Sequence, residues 1–563
     1  MPKDEIIQSL KIALKELGVE DFEPVLERPK DTKNGDFSSN VAMVAFARIK
    51  NQESIIKNPL EMAQEIVSIL NTKYKIPDTF DRVEAVSPGF INFHLSNQYL
   101  QNQVQNIISK GDSYGQSVVN KGKKASVEFV SANPTGPLHI GNAVGGPLGD
   151  TIANVLQKSG YEVVREYLHN DVGGQVERLG EAIYFELHPD QISETYEVQY
   201  QGDYIKELSQ DVKEALEEDK DLSQEEFIEK AGAIAVEIML EEILKDCIDM
   251  GIKYDIVRKE SDLRKEVPDV LPKIKKFLKE KDGAQWFAPN DEFLKDRETV
   301  IKKSNGDYTY FASDIVYHNE KMSKNNLVID ILGSNHSGHV PRLQAAVKAL
   351  GFDINNFKVI LYQYIRLKRG SEIVKMSKRA GSFITAKEVL DEVGRDAFRF
   401  FLLRSAPETH MDFDLELAKK QASENPVFYV QYAYTRISSI FAKISNQQPA
   451  RIGKRSVAGG SAISNQISGD DLSLLTHAEE VALIRHLLKL PELIEEISCT
   501  FGVHSLTTYA MELAMLFHKF YEAHRVISDN DKQTKVRLAL LEATKITLKN
   551  TLDLLGVSAP EKM

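Results

Sequence analysis

Residues 126–151 read Ser126-Val-Glu128-Phe-Val-Ser-Ala-Asn133-Pro-Thr-Gly136-Pro-Leu-His139-Ile-Gly141-Asn142, then AVGGPLGDT. Ser126 to Val130 is a short β-like run in which Glu128 interrupts apolar neighbours. Strand geometry puts Glu128 on the face opposite Val127 and Phe129. Asn133 to Pro137 forces a turn, because proline fixes φ and glycine tolerates unusual φ. Helix-like sequence follows from about Asn142 to Ser159. The pattern is strand, Gly/Pro turn and helix start, with His139 and Asn142 at the helix mouth. Such a mouth presents free N–H groups and a positive dipole end, which suits a phosphate. A P-loop of the GxxxxGK[ST] form is absent from this stretch.

Working outward, Glu162 to Leu168 is strand-like, so residues 121–185 form a βαβ pattern, the first half of a nucleotide-binding α/β fold. Ligands in such sheets lie outside the carboxyl ends of the strands. His139 follows one strand end and His169-Asn170-Asp171 the other. Thr299–Ile301, Leu327–Leu332 and Lys358–Leu361 read as further strands, the second buried on both faces. Residues 185 to about 280 read as an acidic helical insertion, most of whose charges form a solvated face. Residues 386–563 read almost entirely as helix, interrupted by the Gly/Ser-rich run Val457-Ala-Gly-Gly-Ser461. Near the N-terminus, Ile6, Leu10, Ala13 and Leu14 recur at helical spacing, and two strands flank Ser87-Pro88-Gly89.

With 563 residues, about three or four domains are expected. Hydrophobic residues make up 42% and charged residues 27%, as in ordinary globular proteins. No apolar run approaches the ~18 residues of a membrane span, and MPKDEIIQSL lacks the apolar core of a signal peptide. The two cysteines, Cys247 and Cys499, have no CxxC partners, which argues against a disulfide framework or structural zinc. A cytoplasmic protein is expected. The net charge of −13 taken alone argues against nucleic acid. From Gln421 to Met563, however, 15 Lys/Arg face 15 Asp/Glu, so the acidity lies elsewhere.

His139-Ile-Gly-Asn142 resembles the HIGH signature of class I aminoacyl-tRNA synthetases. The second signature of that class stands downstream as Lys375-Met376-Ser377-Lys378. Lys321-Met-Ser-Lys324 spells the same tetrapeptide, but between a helix and a buried strand, where it should lie away from the ligand. The copy at 375 has the glycine-flanked context of a loop that closes over triphosphate. NPTGPLHIGN, REYLHNDVGGQ, YTYFASDIVYH and the terminal SAPEKM resemble arginyl-tRNA synthetases of the bacterial type, over nearly the whole chain. Asp396-Ala-Phe-Arg399 stands where that group carries an Asp-Ala-Leu-Arg signature. The resemblance implies a multidomain α/β protein with a Rossmann-like class I catalytic core bearing a helical insertion. A small α+β N-terminal domain and an all-α C-terminal anticodon-binding domain complete it. The expected boundaries are an N-terminal domain at 1–96 touching the tRNA corner and a linker at 97–120. The catalytic domain follows at 121–385 with its insertion at about 185–280, then a helical connection at 386–427 and the anticodon-binding domain at 428–563.

The implied reaction has two steps: ATP activates arginine as an adenylate with release of pyrophosphate, then the acyl group moves to the terminal ribose of tRNA. The first step needs positioning and charge stabilisation more than covalent chemistry. The resemblance assigns this to His139, Asn142, Lys375 and Lys378. It adds Gly136, Gly141, His336, Met376 and Ser377 to the ATP site, with Mg²⁺ travelling on the ATP and no zinc. A guanidinium is best met by carboxylates and aromatic rings. Glu128 and Asp314 are the acids placed for it, and Tyr310, Asp314, Tyr317 and His318 share a helix face. In the family, residues matching Glu128, Asn133, His139, Tyr310 and Asp314 line the arginine pocket. Asn335 also falls there, although relatives carry Asp at that position. Tyr521 and Met563 match segments near the anticodon. A monomer acting on tRNA(Arg), with activation dependent on bound tRNA, completes the expectation. Two rivals stay open. A cysteinyl-type enzyme lacks its zinc-type residues here. A non-catalytic RNA-binding paralogue would not need His139, Lys375 and Lys378.

Overall fold

Five parallel strands carry the candidate site: β1 (Lys124–Glu128), β2 (Glu162–His169), β3 (Ile256–Lys259), β4 (Leu327–Gly333) and β5 (Phe357–Tyr362). Their order is β3-β2-β1-β4-β5. This is the doubly wound order, in which direction reverses between β1 and β4 and a crevice opens beyond their carboxyl ends. The computed structural model describes the chain except residues 1, 21, 50–55, 73–77, 193–196, 220, 296, 375–383 and 448–468.

The expected single helix after the Gly/Pro turn is two: α1 (Ile140–Ala143) and α2 (Gly145–Lys158). Val127 and Phe129 are fully buried, and helix α2 lies on their face of the sheet, with Gly149 directly against the Phe129 ring. Glu128 points the other way, as strand alternation requires. There it belongs to a row of carboxylates at matching register on three adjacent strands: Asp330 on β4, Glu128 on β1 and Glu166 on β2. Each is at most 5% exposed. Charges buried to that degree need partners. Helix α4 (Tyr310–Lys324) supplies them along one stripe. Tyr317 Oη donates to Glu166 at 2.9 Å, His318 Nε2 meets Asp330 at 2.7 Å, and Lys321 Nζ lies 2.6 Å from both Glu128 and Asp330.

Strand β3 lies inside the span 185–280 expected as a helical insertion. The chain returns to the sheet at Ile256, as an edge strand, and enters helix α3 (Glu260–Val270). The insertion helices Gly174–Leu187, Asp203–Ala215 and Gln224–Asp249 enclose their own core, including Leu179, Ile183, Leu208, Ala235 and Met239. Thr299–Lys302 is a strand, but of a separate antiparallel sheet with Leu278–Lys281 and Ala284–Phe287.

The described residues divide into two compact units. The sheet, its helices and residues 548–563 belong to one. The other holds residues 1–112, 440–489 and 515–547. Its three-stranded antiparallel sheet pairs Phe37–Ser39 and Phe80–Val86 with the central Phe90–Leu95, so the expected strands on either side of Ser87-Pro88-Gly89 form a hairpin. Within this unit Arg485 reaches Asp36 at 2.8 Å and Arg537 reaches the fully buried Glu480 at 2.8 Å. No helix among the described residues is long and apolar enough to cross a membrane.

Candidate active site at the carboxyl ends of β1 and β4

Leaving β1, the chain turns at Val130 and Ser131 with φ of 69° and 38°. Neither is glycine, and left-handed backbone at a β-branched residue is strained. The turn is fixed by hydrogen bonds: Ser131 Oγ donates to Glu128 at 3.0 Å and accepts from the Leu168 N–H at 3.1 Å. Asn133 follows, exposed, its Oδ1 accepting from Asn170 Nδ2 at 2.7 Å. The two strand ends, β1 and β2, are thus joined through their asparagines. Tyr204, from the Tyr200-Gln-Gly-Asp-Tyr204 run, donates to the Thr135 carbonyl at 3.1 Å beside Gly136.

His139 caps α1. Its Nδ1 accepts from the Gly141 N–H at 2.9 Å, so the neutral ring carries its proton on Nε2. A Cβ at Gly141 would lie 2.9 Å from that Nδ1, so glycine is what lets the ring sit there. The helix mouth is not the open N–H cradle expected. The Ile140 N–H is taken by the Ile384 carbonyl, and the Asn142 and Ala143 N–H groups by the His139 carbonyl. What faces outward is side-chain chemistry: a half-buried His139 and an exposed Asn142. The Ile384 contact, with Ala386 N–H to the Leu138 carbonyl at 2.7 Å, pins the chain just beyond the second signature onto the first. Lys375, Met376, Ser377 and Lys378 themselves lie outside the described residues.

Beyond β4, Asn335 and His336 lie exposed in the turn Ser334–His336, with Asn335 Oδ1 folded against Gly333. The neighbouring His339, not anticipated, points Nε2 at Asp314 Oδ2, 3.0 Å away. Asp314 sits one turn into α4. Tyr310, its first residue, is 44% exposed and donates to the Val172 carbonyl at 3.3 Å. Asp314 is thus joined to His339, one helical turn after Tyr310 on α4. Glu128 is different: Lys321 and Ser131 already occupy its carboxylate. Burial pushes its pKa up, against the opposing charge of Lys321. Lys321, the first residue of the second Lys-Met-Ser-Lys copy, is thus a buried counter-ion.

A further acid was also missed. Glu260 opens α3 and is 2% exposed. Arg264 donates to its Oε1 through Nε at 3.0 Å and Nη2 at 2.9 Å, while the guanidinium lies 5.4 Å from the Tyr310 ring centroid. Burial pushes Glu260 up to about 7 despite Arg264, with Asp314 and Asp171 adding to the rise. In sequence, only the Glu260–Arg264 spacing of one helical turn could have signalled this pair. Among the described residues no group of three or more His, Cys, Asp or Glu could hold a metal ion.

In the other unit, Tyr521 is half-buried, its ring 6.0 Å from that of Phe517. Met563, 55% exposed, ends the chain in the unit that holds the sheet.

Three families match this chain in succession: "Arginyl tRNA synthetase N terminal domain" over residues 4–95, "tRNA synthetases class I (R), catalytic domain" over 103–401 and "DALR anticodon binding domain" over 430–563. An arginine–tRNA ligase of Staphylococcus aureus is 38% identical, the match covering 100% of this chain and 99% of the relative. Two solved structures share the fold. The arginyl-tRNA synthetase of Thermus thermophilus has a TM-score of 0.77 at 22% identity, with 100% of both chains covered. That of Plasmodium falciparum has a TM-score of 0.74 at 20% identity, covering 100% of this chain and 99% of its own. With a doubly wound sheet at its centre and these matches end to end, the chain belongs to the arginyl-tRNA synthetases.

Proposed function

We propose that this arginine–tRNA ligase seats the arginine guanidinium on Asp314 and carries out adenylate formation in the crevice between β1 and β4. The observation behind this reading is which carboxylates packed against α4 already have partners. Three carboxylates below it are already paired or hydrogen-bonded within the fold, Glu128 and Asp330 by Lys321. Asp314, among the described residues, has an imidazole as its partner and no lysine or arginine. It is the carboxylate left to meet a guanidinium, with the Tyr310 ring beside it. Glu128, Asn133 and Asn335 complete the pocket, Glu128 as its wall and Asn133 toward the α-amino group.

ATP, a substrate of the class I reaction, lies along the first signature, with Gly136, Gly141 and His336 lining its site. His139 Nε2–H and the Asn142 side chain donate to phosphate oxygens. Because the α1 backbone N–H groups are used internally, these side chains carry the stabilisation as the carboxylate attacks the α-phosphate. Lys375 and Lys378, with Met376 and Ser377 of the same signature, neutralise the departing pyrophosphate. Mg²⁺ enters on the ATP phosphates, which suits a cation that retains several waters. The tRNA(Arg) 3′ ribose then accepts the arginyl group, with residues 1–96 at the tRNA corner and residues 428–563 at the anticodon, where Tyr521 and Met563 make contact. The enzyme acts as a cytoplasmic monomer.

ATP–pyrophosphate exchange with arginine, with and without cognate tRNA, tests the reading. Asp314→Asn should abolish exchange while the protein stays folded. Normal exchange by that variant would remove the guanidinium assignment. Exchange without tRNA would leave the ligase intact and drop the tRNA dependence.

A further inference from the structure

Between the end of β1 and the start of α2 the chain makes only the short helix α1, so most carbonyls of the first-signature turn have no ladder partner. Four carbonyls in this stretch accept from tyrosine hydroxyls instead. Tyr254 donates to Phe129 at 3.1 Å, Tyr167 to Ala132 at 2.8 Å, Tyr204 to Thr135 at 3.1 Å and Tyr362 to Asn142 at 3.3 Å. Burial pushes all four phenols above their ordinary range, so each stays protonated, and a donor, at neutral pH.

Three of these tyrosines belong to the sheet or its approach. Tyr167 lies on β2, Tyr362 ends β5, and Tyr254 stands two residues before β3. Tyr204 comes from elsewhere. It is the second residue of the insertion helix Asp203–Ala215, and its body packs on the insertion core beside Ile205 and Leu208. Its ring lies over Gly136, where a Cβ would sit 3.2 Å from a ring carbon. The Gly136 backbone is outside the left-handed region, so the close approach of the ring, not φ, is what calls for glycine there. Thr135 is only half-buried, so water can serve its carbonyl, and satisfying that carbonyl does not by itself require a tyrosine. What the bond adds is position. It fixes the middle of the turn, just before Gly136 and one helical turn's length before His139, from a body other than the sheet.

We propose that Tyr204 is a positioning residue for the ATP subsite, through which the helical insertion sets the turn bearing Gly136 and His139. It touches the turn and not the nucleotide. This rests on the reading of Gly136 and His139 as ATP contacts.

The experiment is ATP–pyrophosphate exchange at varied ATP, with arginine and cognate tRNA present, on full-length wild type, Tyr204→Phe and Tyr184→Phe, with a urea midpoint for each. Tyr184 lies in the same insertion and donates to Gln191, so its variant removes a hydroxyl from the insertion without touching the turn. Tyr204→Phe keeps the ring over Gly136 and loses only the bond to Thr135. It should raise the ATP KM by roughly three- to tenfold, the scale of one lost hydrogen bond. Its urea midpoint should stay close to that of wild type, because water takes the freed carbonyl. Tyr184→Phe should leave the ATP KM unchanged. A normal ATP KM in Tyr204→Phe would overturn the proposal. An equal rise in Tyr184→Phe would overturn it too, because the stability of the insertion, and not the position of the turn, would then be what matters. Absence of exchange in wild type would sink the ligase reading itself, whereas normal exchange by both wild type and Tyr204→Phe sinks only the positioning role.

Discussion

His339 Nε2 lies 3.0 Å from Asp314 Oδ2, joining the turn after β4 to the first turn of α4 across the mouth of the crevice. A carboxylate held on one oxygen keeps the other turned in a fixed direction. Replacing His339 with alanine should therefore raise the arginine KM by about tenfold, the scale of a lost hydrogen bond to a charged group, with the ATP KM little changed. Steady-state exchange at varied arginine checks this. An unchanged arginine KM would mean Asp314 needs no such support.

The two Lys-Met-Ser-Lys copies should separate cleanly under mutation. Lys321→Met leaves Glu128 and Asp330 buried without their cation, and removing one partner of a buried pair costs ~3–5 kcal/mol. A large drop in the urea midpoint is expected. Lys375→Met should abolish pyrophosphate exchange with the midpoint unmoved. Equal stability losses in both variants would contradict the distinct roles.

Glu260 gives stability a pH dependence with a definite sign. Its carboxyl titrates at about 7 in the folded protein against an ordinary 4.5. Between those values the folded state holds a proton that the unfolded state has lost. The contribution of this group is then greatest on the acid side and declines as pH rises from 5 to 7, by something on the order of 1–3 kcal/mol. Glu260→Gln should flatten that slope. Urea midpoints at pH 5, 6 and 7 measure it, and an equal slope in both proteins would exclude Glu260 as its source.

Gly141→Ala should displace the His139 ring, because the new methyl would meet Nδ1 at 2.9 Å. A roughly 100-fold fall in kcat is expected, the scale of losing one aligned donor to a developing charge. Single-turnover adenylate formation is the suitable assay, and full activity would show that His139 works from another rotamer.

What was legible in the chain, and what was not, follows from how far apart the deciding residues lie. The β1–turn–helix unit is local, written in proline, glycine and period-two alternation, and it is where the reading placed it. Strand β3 was hidden because it is an edge: Ile256 and Val257 are 40% and 39% exposed and are followed by Arg258 and Lys259, so no buried run marks it. Glu128 stood out as an acid in an apolar strand, but its partner Lys321 is 193 positions away and inside a misleading tetrapeptide. The helix mouth was over-read, since a free N–H in sequence is assumed free until a distant carbonyl, here that of Ile384, is seen to take it. His339 carries no mark in sequence beyond being near the right segment, and Arg264 only its spacing of one helical turn from Glu260.

The left-handed pair Val130–Ser131 has a practical corollary for anyone evolving this enzyme. A directed screen for heat resistance should find Val130→Gly early, because glycine relaxes that backbone at no steric cost. The same change would loosen the hinge on which Ser131, Asn133 and the whole first signature hang. Clones that survive heating through this position should turn over more slowly, placing the trade between durability and speed at a single φ angle.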